Sequence, residues 1–436
     1  MRENIGIGII GFGTVGSGTI RILQENRELI HSRTGLYLDV KRIADLDLKT
    51  DRGIPIDPAV LTNDARALIA DPEVDIVVEL IGGYEPAATF IKEALAQGKY
   101  VVTANKALLA TRGWELFEAA NKSKATLAFE ASVGGGIPIL RSIREGLCAN
   151  KFLSIHGILN GTANYILSRM STSGMDFEDA LKEAQQKGYA EVDPSFDVEG
   201  IDAAHKIAIL STMAFGVRIP FDAISIKGIR GISQLDVLHA RELGLVIKLL
   251  AVGRWDDGEL EIRVHPVMIP ESHMLAKVNG VYNAIHVIGD FVGSTLYYGK
   301  GAGMLPTGSA VVSDIAAIAR QVARGNMYEI PPLGYPLEAF QDAVIRDAKE
   351  GRGVYYLRMK TVDRPGVLSK ISGIFGEKGI SLASVMQKGE GEEPVDIVMV
   401  THETTQRQID EALKSIDHLS VVMEPTLALH IEMDLK

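Results

Sequence analysis

The chain has 436 residues, a length that corresponds to about three domains of ordinary size. Hydrophobic residues make up 46% and charged residues 23% of the sequence, a balance typical of globular proteins with buried cores. The formal net charge is −11, from 45 Lys and Arg against 56 Asp and Glu, and no long basic run occurs. Because phosphate and anionic membrane surfaces are bound by clustered Lys and Arg, nucleic acid and membrane are excluded as the main partners.

Cysteine usage and the N-terminal residues indicate the compartment. Cys148 is the one cysteine, so no intrachain disulfide can form, which fits a reducing environment. The first residues lack the charged leader and apolar stretch of a signal peptide and instead have the pattern of a first β-strand. No stretch approaches the roughly 20 apolar residues that cross a bilayer. The sequence therefore predicts a cytoplasmic protein.

Residues 1–135 alternate short apolar runs with helical patterns. The predicted strands are 5–10, 36–44, 74–80, 100–103 and 125–129, and the predicted helices include 19–30, 87–97 and 113–121. Apolar strands separated by helices are typical of a parallel sheet that is covered on both faces. We expect a doubly wound α/β domain here, joined by a helix that returns to it at 305–330.

A glycine-rich turn of the form GxGxxG connects the first strand to the first helix. Its residues are Gly11, Phe12, Gly13, Thr14, Val15 and Gly16. The glycines permit a tight turn and a close approach of the backbone, so a pyrophosphate can bind at the helix N-terminus. In this context the motif predicts a dinucleotide site, and the alternative is a turn without a ligand.

The end of the second strand leaves the choice between NAD and NADP open. Asp45 is placed to accept hydrogen bonds from a ribose hydroxyl, which favours NAD. Arg42, Lys49 and Arg52 lie nearby in the sequence and could bind a 2′-phosphate. Asp45 is equally compatible with a solvated turn. We therefore expect NAD(P) as the cofactor.

Residues 136–304 change in character. Helical patterns dominate the first half, at 162–171, 176–186 with Asp176 as N-cap, and 198–215. The later part is strand-like, at 259–268 and 283–298. We expect an α+β domain for substrate binding and catalysis.

An acidic stretch in this segment ends in a lysine. Asp202 and Lys206 are four residues apart and share one face of a helix, while Glu191 and Asp197 precede that helix. Three carboxylates around one ammonium suit a substrate that carries its own cation, such as an α-amino group. The lysine can then move the proton of a carbonyl or alcohol. From spacing alone, the simpler explanation is an exposed ion pair that follows an acidic loop.

The C-terminal part begins with a linker and continues as a third domain. Proline and glycine punctuate residues 331–353. Residues 354–431 then show the order β-α-β-β-α-β, with predicted strands at 354–362, 381–387, 394–401 and 421–431 and helices at 366–376 and 407–416. This is the ferredoxin-like arrangement.

Several segments carry family resemblances. Residues 184–206, with Ala184, Gly188, Asp193, Pro194, Asp197, Gly200, Asp202 and Lys206, resemble the signature of homoserine dehydrogenases. The match continues through residues 103–106, 129–138, 157–164 and 299–303, and so covers roughly the first three quarters of the chain. Residues 363–369 and 379–385 resemble the ACT family, whose members bind amino acids between paired domains. A dimerisation module without a ligand is the alternative for this last domain.

The resemblance implies a reaction and a set of roles. The reaction is the reversible NAD(P)H-dependent reduction of L-aspartate 4-semialdehyde to L-homoserine, in threonine, methionine and isoleucine biosynthesis. Lys206 would be the acid and base on the substrate oxygen, with Lys106 close to both the nicotinamide and the substrate. Glu191 and Asp202 would bind the amino and hydroxyl ends of homoserine, supported by Asp197.

The resemblance also implies cofactor, cation and regulatory sites. Thr103, Lys106, Gly188 and Gly303 would lie along the cofactor of a Rossmann-type domain. Many NADP-preferring relatives carry Arg at the position of Ala44, which weakens the case for NADP. L-Threonine is the expected effector, and a homo-oligomer, dimer or tetramer, is the expected assembly.

A monovalent cation, usually sodium, is bound in this family. Glu130 and the carbonyl groups of Val133, Gly135 and Ile137 would surround it. A glycine-rich hinge between domains is the alternative explanation of this segment.

Two other functions fit parts of the sequence. One is a dehydrogenase with the same cofactor domain and a different amino-acid substrate. The other is a sensor without catalysis that binds a cofactor and an amino acid through its first and last domains. The sensor leaves residues 184–206 without a role.

Overall fold

The structure is a computed structural model that describes residues 3–325, 330–388 and 394–435. Residues 326–329 of the predicted returning helix and residues 389–393 of the predicted C-terminal domain lie outside the described residues. The chain divides into two compact units. The first consists of Met1–Gly161, Asp202–Ile224 and Tyr282–Ala343, and the second of Thr162–Ile201, Ser225–Val281 and Val344–Lys436. The domain boundaries expected along the sequence stay a prediction.

The described residues form β-strands that are numbered here in chain order. They are β1 (Asn4–Ile10), β2 (Tyr37–Ala44), β3 (Leu61–Thr62), β4 (Ile76–Glu79), β5 (Tyr100–Thr103), β6 (Leu127–Ala128), β7 (Phe152–Ile158), β8 (Val217–Arg218), β9 (Ser225–Ile226), β10 (Leu245–Asp256), β11 (Glu259–Pro270), β12 (Tyr282–Gly289), β13 (Gly293–Lys300), β14 (Gln341–Asp342), β15 (Arg352–Thr361), β16 (Leu382–Lys388), β17 (Val395–Thr401), β18 (Thr404–Thr405) and β19 (Leu427–Ile431).

The α-helices are numbered in the same way. They are α1 (Thr14–Glu25), α2 (Arg27–Thr34), α3 (Ala65–Ala70), α4 (Ala87–Ala96), α5 (Lys106–Ser123), α6 (Ile139–Arg141), α7 (Gly161–Ser173), α8 (Phe177–Gln186), α9 (Ser195–Val198), α10 (Ile201–Phe215), α11 (Gln234–Glu242), α12 (Met304–Arg324), α13 (Val367–Glu377) and α14 (Gln406–Ile416).

The first unit contains a six-stranded sheet in the order β3-β2-β1-β4-β5-β6, and every neighbouring pair is parallel. Its central strands are largely apolar and buried, and in β4 all four residues, including Glu79 at its end, are buried. This confirms the predicted doubly wound domain. The strand order reverses between β1 and β4, and ligands of such folds bind beyond the carboxyl ends of the strands at this point.

Helix α12 packs closely on α1 in the same unit. A Cβ atom added to Gly18 would lie 2.1 Å from the Met304 carbonyl oxygen, so α12 can approach only because residue 18 has no side chain. Val311 and Ile315 of α12 join the apolar core that also contains the strands of the sheet. The start of α12 is thereby fixed near the glycine-rich turn that precedes α1.

Three predicted helices have other bounds in the structure. The helix predicted over 113–121 is longer, since α5 already begins at Lys106. The bounds predicted as 19–30 are wrong: α1 begins at Thr14, directly after the glycine-rich turn, and a break at Asn26 separates α1 from α2. The helix predicted over 198–215 is interrupted at Gly200, whose φ of +84° belongs to the left-handed region. Helix α10 therefore starts at Ile201, one residue before Asp202.

The second unit combines a long antiparallel hairpin, β10 and β11, with a ferredoxin-like sheet. The sheet order β19-β15-β17-β16 and the intervening helices α13 and α14 give the predicted β-α-β-β-α-β arrangement. Both helices cover one apolar core, which includes Leu357, Phe375, Met399 and Ile409. The prediction for this domain is confirmed. The strand β10 was not among the predicted elements.

Among residues 3–325, 330–388 and 394–435, no helix has the length and apolar character needed to cross a lipid bilayer.

Candidate active site

Helix α10 places Asp202 and Lys206 on one face, one turn apart. The Lys206 Nζ atom donates to Asp202 Oδ2 at 2.6 Å and to the carbonyl oxygen of Leu159 at 2.7 Å. Lys206 is 7% and Asp202 is 5% exposed. An exposed surface pair, the simpler explanation of the spacing, is therefore excluded. Burying an ion pair is costly, so this pair must be held by further contacts.

A second lysine contacts the same carboxylate. Lys106 is the first residue of α5, and its Nζ atom lies 3.2 Å from Asp202 Oδ1. Asn105 caps this helix by accepting a hydrogen bond from the Leu108 N–H group. Burial opposes ionisation of Asp202, but the charges of Lys206 and Lys106 outweigh it and lower the pKa of Asp202 to about 2. The cluster therefore has two ammonium groups around one carboxylate.

Two asparagines complete this cluster and were not predicted as site residues. Asn160 Nδ2 donates to Asp202 Oδ2 at 2.9 Å, and Asn283 Nδ2 donates to the Leu159 carbonyl oxygen at 2.8 Å. Asn160 belongs to the segment 157–164 that carried the family resemblance, but its side-chain role could not be inferred from that match. Asn283 is 1% exposed at the start of β12, and no sequence motif marks it.

His205 is adjacent to the cluster on α10 and packs against Phe221 with ring centroids 4.5 Å apart. Burial lowers the pKa of His205 to about 4, so the ring is neutral at neutral pH. It therefore adds no third positive charge beside Lys206 and Lys106.

The glycine-rich turn leads directly into α1 with its amide groups uncapped. Gly13 is the N-cap and provides no side-chain hydrogen bond, and the first turn of α1 contains no acidic residue. A Cβ atom at Gly16 would lie 2.1 Å from the Gly11 oxygen, whereas one at Gly13 would meet no atom within 4 Å. The turn is thus tight on one side and open on the other. Free amide groups beside open space are what a pyrophosphate requires.

Asp45 is tied to this turn. Its Oδ2 atom accepts a hydrogen bond from the Phe12 N–H group at 2.5 Å, and its Oδ1 atom accepts one from Asp47 N–H at 2.8 Å. The Arg52 guanidinium lies over the Phe12 ring, 4.6 Å from its centroid, and 3.8 Å from Asp45 Oδ1. Arg42 instead pairs with Asp71 at 2.9 Å. Within the described part of the chain, Arg52 rather than Arg42 is thus the arginine that lies beside Asp45.

The carboxyl ends of β4 and β5 carry a buried polar pair. The Thr103 hydroxyl donates to Glu79 Oε2 at 2.6 Å, and Glu79 also accepts from the N–H groups of Ile81 and Gly82. Burial raises the pKa of Glu79. Glu79 had no predicted role, because a carboxylate at the end of an apolar strand is not a motif. It fixes the position of Thr103 beside the expected nicotinamide end of the sheet.

The remaining cofactor and substrate residues lie in different units. Gly303, with φ of +120°, precedes α12 in the first unit. Gly188 follows α8, Glu191 is exposed, and Asp197 lies in α9, all in the second unit. The convergence of Glu191 and Asp197 on the cluster of α10 stays a prediction.

The segment expected to hold a cation is built around Glu130. Its two carboxylate oxygens accept the N–H groups of Leu140 at 2.9 Å and Arg141 at 2.8 Å, and its own N–H donates to Asp314 Oδ2 at 2.7 Å. Burial, together with the charge of Asp314, raises the pKa of Glu130 to about 7. The Ile137 carbonyl accepts the Ile139 N–H group.

Comparison with known proteins identifies the family. Family models described as "Homoserine dehydrogenase, NAD binding domain", "Homoserine dehydrogenase" and "ACT domain" match residues 11–130, 138–316 and 355–418. Homoserine dehydrogenases of Pseudomonas aeruginosa and Helicobacter pylori are each 44% identical to the chain. The match to the P. aeruginosa protein covers 98% of each chain. The match to the H. pylori protein covers 99% of this chain and 100% of the relative.

Solved structures give the same result. The crystal structure of a homoserine dehydrogenase from Thiobacillus denitrificans has a TM-score of 0.92 at 43% identity and covers 99% of each chain. One from S. aureus at pH 8.5 has a TM-score of 0.76 at 33% identity and covers 99% of this chain and 100% of that one. The chain therefore belongs to the homoserine dehydrogenase family, as an NAD(P)-binding oxidoreductase with a C-terminal ACT domain.

Proposed function

We propose that Lys206 is the acid and base of the homoserine dehydrogenase reaction in this chain. The observation that carries the proposal is the bonding of its ammonium group. An ammonium has three N–H donors, and Asp202 and the Leu159 carbonyl take two of them. The third donor has no partner among the described residues, so it is free to meet a substrate oxygen.

The proton transfer follows from this arrangement. In the reduction of L-aspartate 4-semialdehyde, Lys206 donates a proton to the aldehyde oxygen as the carbonyl carbon gains a hydride, and L-homoserine forms. This hydride would be supplied by NAD(P)H, and in the reverse direction it would pass from homoserine to NAD(P). In the oxidation, Lys206 accepts the hydroxyl proton. Asp202 holds both lysines in place, and Lys106 contributes a second positive charge toward the substrate oxygen.

Recognition of the substrate amino group is assigned to carboxylates. By family resemblance, Glu191 and Asp202 bind the amino and hydroxyl ends of homoserine, and Asp197 supports them. Thr103, Gly188 and Gly303 are assigned to the cofactor on the same ground.

The test compares L-homoserine with 4-hydroxybutyrate, which keeps the alcohol and carboxylate and lacks the amino group. Formation of NADH or NADPH from homoserine, with little from 4-hydroxybutyrate, is the expected result. Equal turnover of both would contradict recognition of the amino group. Turnover of neither, from folded protein, would contradict the proposed function.

Cofactor choice is expected to depend on Asp45 and Arg52 in opposite directions. The Asp45 carboxylate repels a 2′-phosphate and can accept ribose hydroxyls, whereas the Arg52 guanidinium attracts the phosphate. We expect Asp45→Asn to raise the efficiency with NADP relative to NAD about tenfold, a difference of about 1.4 kcal/mol, and Arg52→Gln to lower this ratio. The measurement is kcat/KM for both cofactors with each variant. If both variants leave the ratio of kcat/KM for NADP and NAD unchanged, the ribose 2′ position of the bound cofactor does not lie beside Asp45 and Arg52.

We further propose that Glu130 and the carbonyl oxygens of Val133, Gly135 and Ile137 bind sodium. The donors fit such an ion, because carboxylate and carbonyl oxygens are the ligands of hard cations. The fit is supported by Glu130 itself, which is 4% exposed and donates its N–H group to the Asp314 carboxylate, since a cation would offset the repulsion between these two buried carboxylates.

A bound cation should stabilise the folded chain. At fixed ionic strength, replacing tetramethylammonium chloride by sodium chloride is expected to raise the Tm by about 2 °C or more. Glu130→Gln should abolish the increase, whereas Glu118→Gln, on the exposed face of α5, should keep it. An equal sodium response in both variants would place the ion elsewhere.

The ACT domain is proposed to bind L-threonine and to slow the enzyme within a homo-oligomer. We expect L-threonine to reduce the rate of homoserine oxidation and to raise the Tm, because a ligand of the folded state stabilises it. D-Threonine is the matched control, since it has the same composition and charge. Equal effects of both enantiomers, or none, would leave the domain as a module for dimerisation. Light scattering would give the mass of the oligomer.

A further inference from the structure

The first unit contains a cavity of about 250 Å³ apart from the cluster of α10. It is lined by the C-terminal half of α12, by α6 and the helical residues Arg144 and Glu145 that follow it, by Thr126 and Ala128 of the β6 edge, and by Ile330 and Pro332. We propose that this cavity is a binding site for a small phosphoryl-bearing anion. The cavity shares Asp314 and Arg141 with the surroundings of Glu130, but the proposal does not depend on the roles assigned to Lys206 and Lys106.

The charge of the lining is opposite to that of the chain. Among the residues that the structure describes, four guanidinium groups and two carboxylates line the cavity: Arg141, Arg144, Arg320, Arg324, Glu145 and Asp314. With all six ionised, the lining carries a net charge of +2, although the whole chain has a formal net charge of −11. Such a concentration of positive charge attracts anions to one place on an otherwise acidic protein.

The carboxylates satisfy only part of this charge. Arg141 donates to Ser313 Oγ at 2.9 Å and to Asp314 Oδ1 at 3.4 Å, and Arg144 donates to Glu145 at 2.8 Å. The Nε atoms of both arginines are nevertheless buried without a hydrogen-bond partner among the described residues, although Arg141 Nε lies 3.6 Å from Glu145 Oε1. Buried donors without an acceptor are uncommon and indicate a missing partner.

The other two arginines are unpaired. Arg320 and Arg324, one turn apart on α12, make no hydrogen bond or ion pair within the described part of the chain. Positive charge near a helix C-terminus is favourable by itself, and this explains their position in α12. It does not explain why they share a cavity with Arg141 and Arg144, which come from a different element.

The geometry of the donors favours a phosphoryl group. The planar guanidinium presents paired N–H donors that match two oxygens of a phosphate or a carboxylate. A phosphate dianion balances the net charge of +2, whereas a single carboxylate does not. It also offers enough acceptor oxygens for several arginines at once.

Calorimetric titration with inorganic phosphate tests the proposal, on the full chain at low ionic strength. Saturating NAD(P) is present, so that the turn of Gly11–Gly16 is already filled. We expect one phosphate per chain. The double variant Arg320→Gln with Arg324→Gln should bind it at least tenfold more weakly, because two charge-assisted hydrogen bonds are lost.

A matched control removes the same charge elsewhere. Arg33→Gln with Arg241→Gln changes two exposed arginines outside the cavity and should leave the phosphate affinity within about twofold. Equal Tm values would show that both double variants fold. No phosphate binding by the wild type, or equal weakening in both double variants, would overturn the proposal. Succinate that displaces phosphate at lower concentration would overturn the phosphoryl assignment.

Discussion

Replacing Lys206 by methionine is expected to lower kcat for homoserine oxidation by about 10³-fold, within the range of general acid–base catalysis. Methionine keeps the length and the apolar stem of lysine but has no proton to exchange. Lys206 is buried, and the groups bonded to its ammonium are the Leu159 carbonyl, which has no proton, and Asp202, which is ionised at neutral pH, so neither can supply the proton in its place. The measurement is the initial rate of NAD(P)H formation at saturating homoserine.

The control for this variant is Lys182→Met. Lys182 is exposed on α8, 3.7 Å from Asp179, and should be replaceable without loss of rate. Lys206→Met should also fold, since Asp202 keeps Lys106 and Asn160 as partners. A loss of less than tenfold in kcat from a folded variant would contradict the assignment.

Replacing Asp202 by asparagine is expected to weaken both the activity and the fold. The change leaves Lys106 and Lys206 close together without a carboxylate between them. Removing one member of a buried ionic cluster costs about 3 kcal/mol or more in the free energy of unfolding. We expect a comparable fall in kcat/KM, by about 10²-fold, because Lys206 loses the partner that fixes its position.

The pH dependence of stability gives a second readout for Asp202. Its folded-state pKa of about 2 is below the ordinary value of 3.8, so its ionisation stabilises the fold above about pH 4, and this contribution is lost as the pH falls toward 2. The shift corresponds to roughly 2 kcal/mol.

Urea unfolding at pH 7 and pH 3 should therefore show a smaller pH dependence for Asp202→Asn than for the wild type. Asp222→Asn, at an exposed position, is the control and should behave as the wild type does. An unchanged unfolding free energy at pH 7 in Asp202→Asn would contradict the ionic cluster.

Local patterns predicted much of this molecule. Alternating apolar runs and helical segments predicted the doubly wound sheet, because each strand must be buried on both faces. The spacing of Asp202 and Lys206 predicted one helix face, since residues four apart are neighbours on any α-helix. The predicted bounds 19–30 were wrong because the helix was placed by its apolar periodicity, which begins after the glycine-rich turn. Helix α1 in fact starts at Thr14, the fourth residue of that turn.

Contacts between distant segments were not predictable from spacing. Lys106 reaches Asp202 only because β5 ends next to the buried α10. The two residues are far apart in the sequence, and nothing in the sequence indicates that these two elements are neighbours. The Leu159 carbonyl is a backbone group and has no residue signature at all, and Asn283 is identified only by what it binds. The side chains of a site can be predicted by type, whereas the backbone and amide groups that orient them require the tertiary structure.

The most direct test of the central claim is chemical rescue of Lys206→Ala. The enzyme is mixed with L-homoserine and NAD(P), and the NAD(P)H that forms is measured by its absorbance. The account predicts turnover by the wild type, a loss of about 10³-fold in the variant, and partial recovery with ethylamine, which can carry the missing proton. Tetramethylammonium, which has a charge and no proton, should restore nothing. A variant within tenfold of the wild-type rate, or equal recovery with both cations, would show that Lys206 is not the proton carrier.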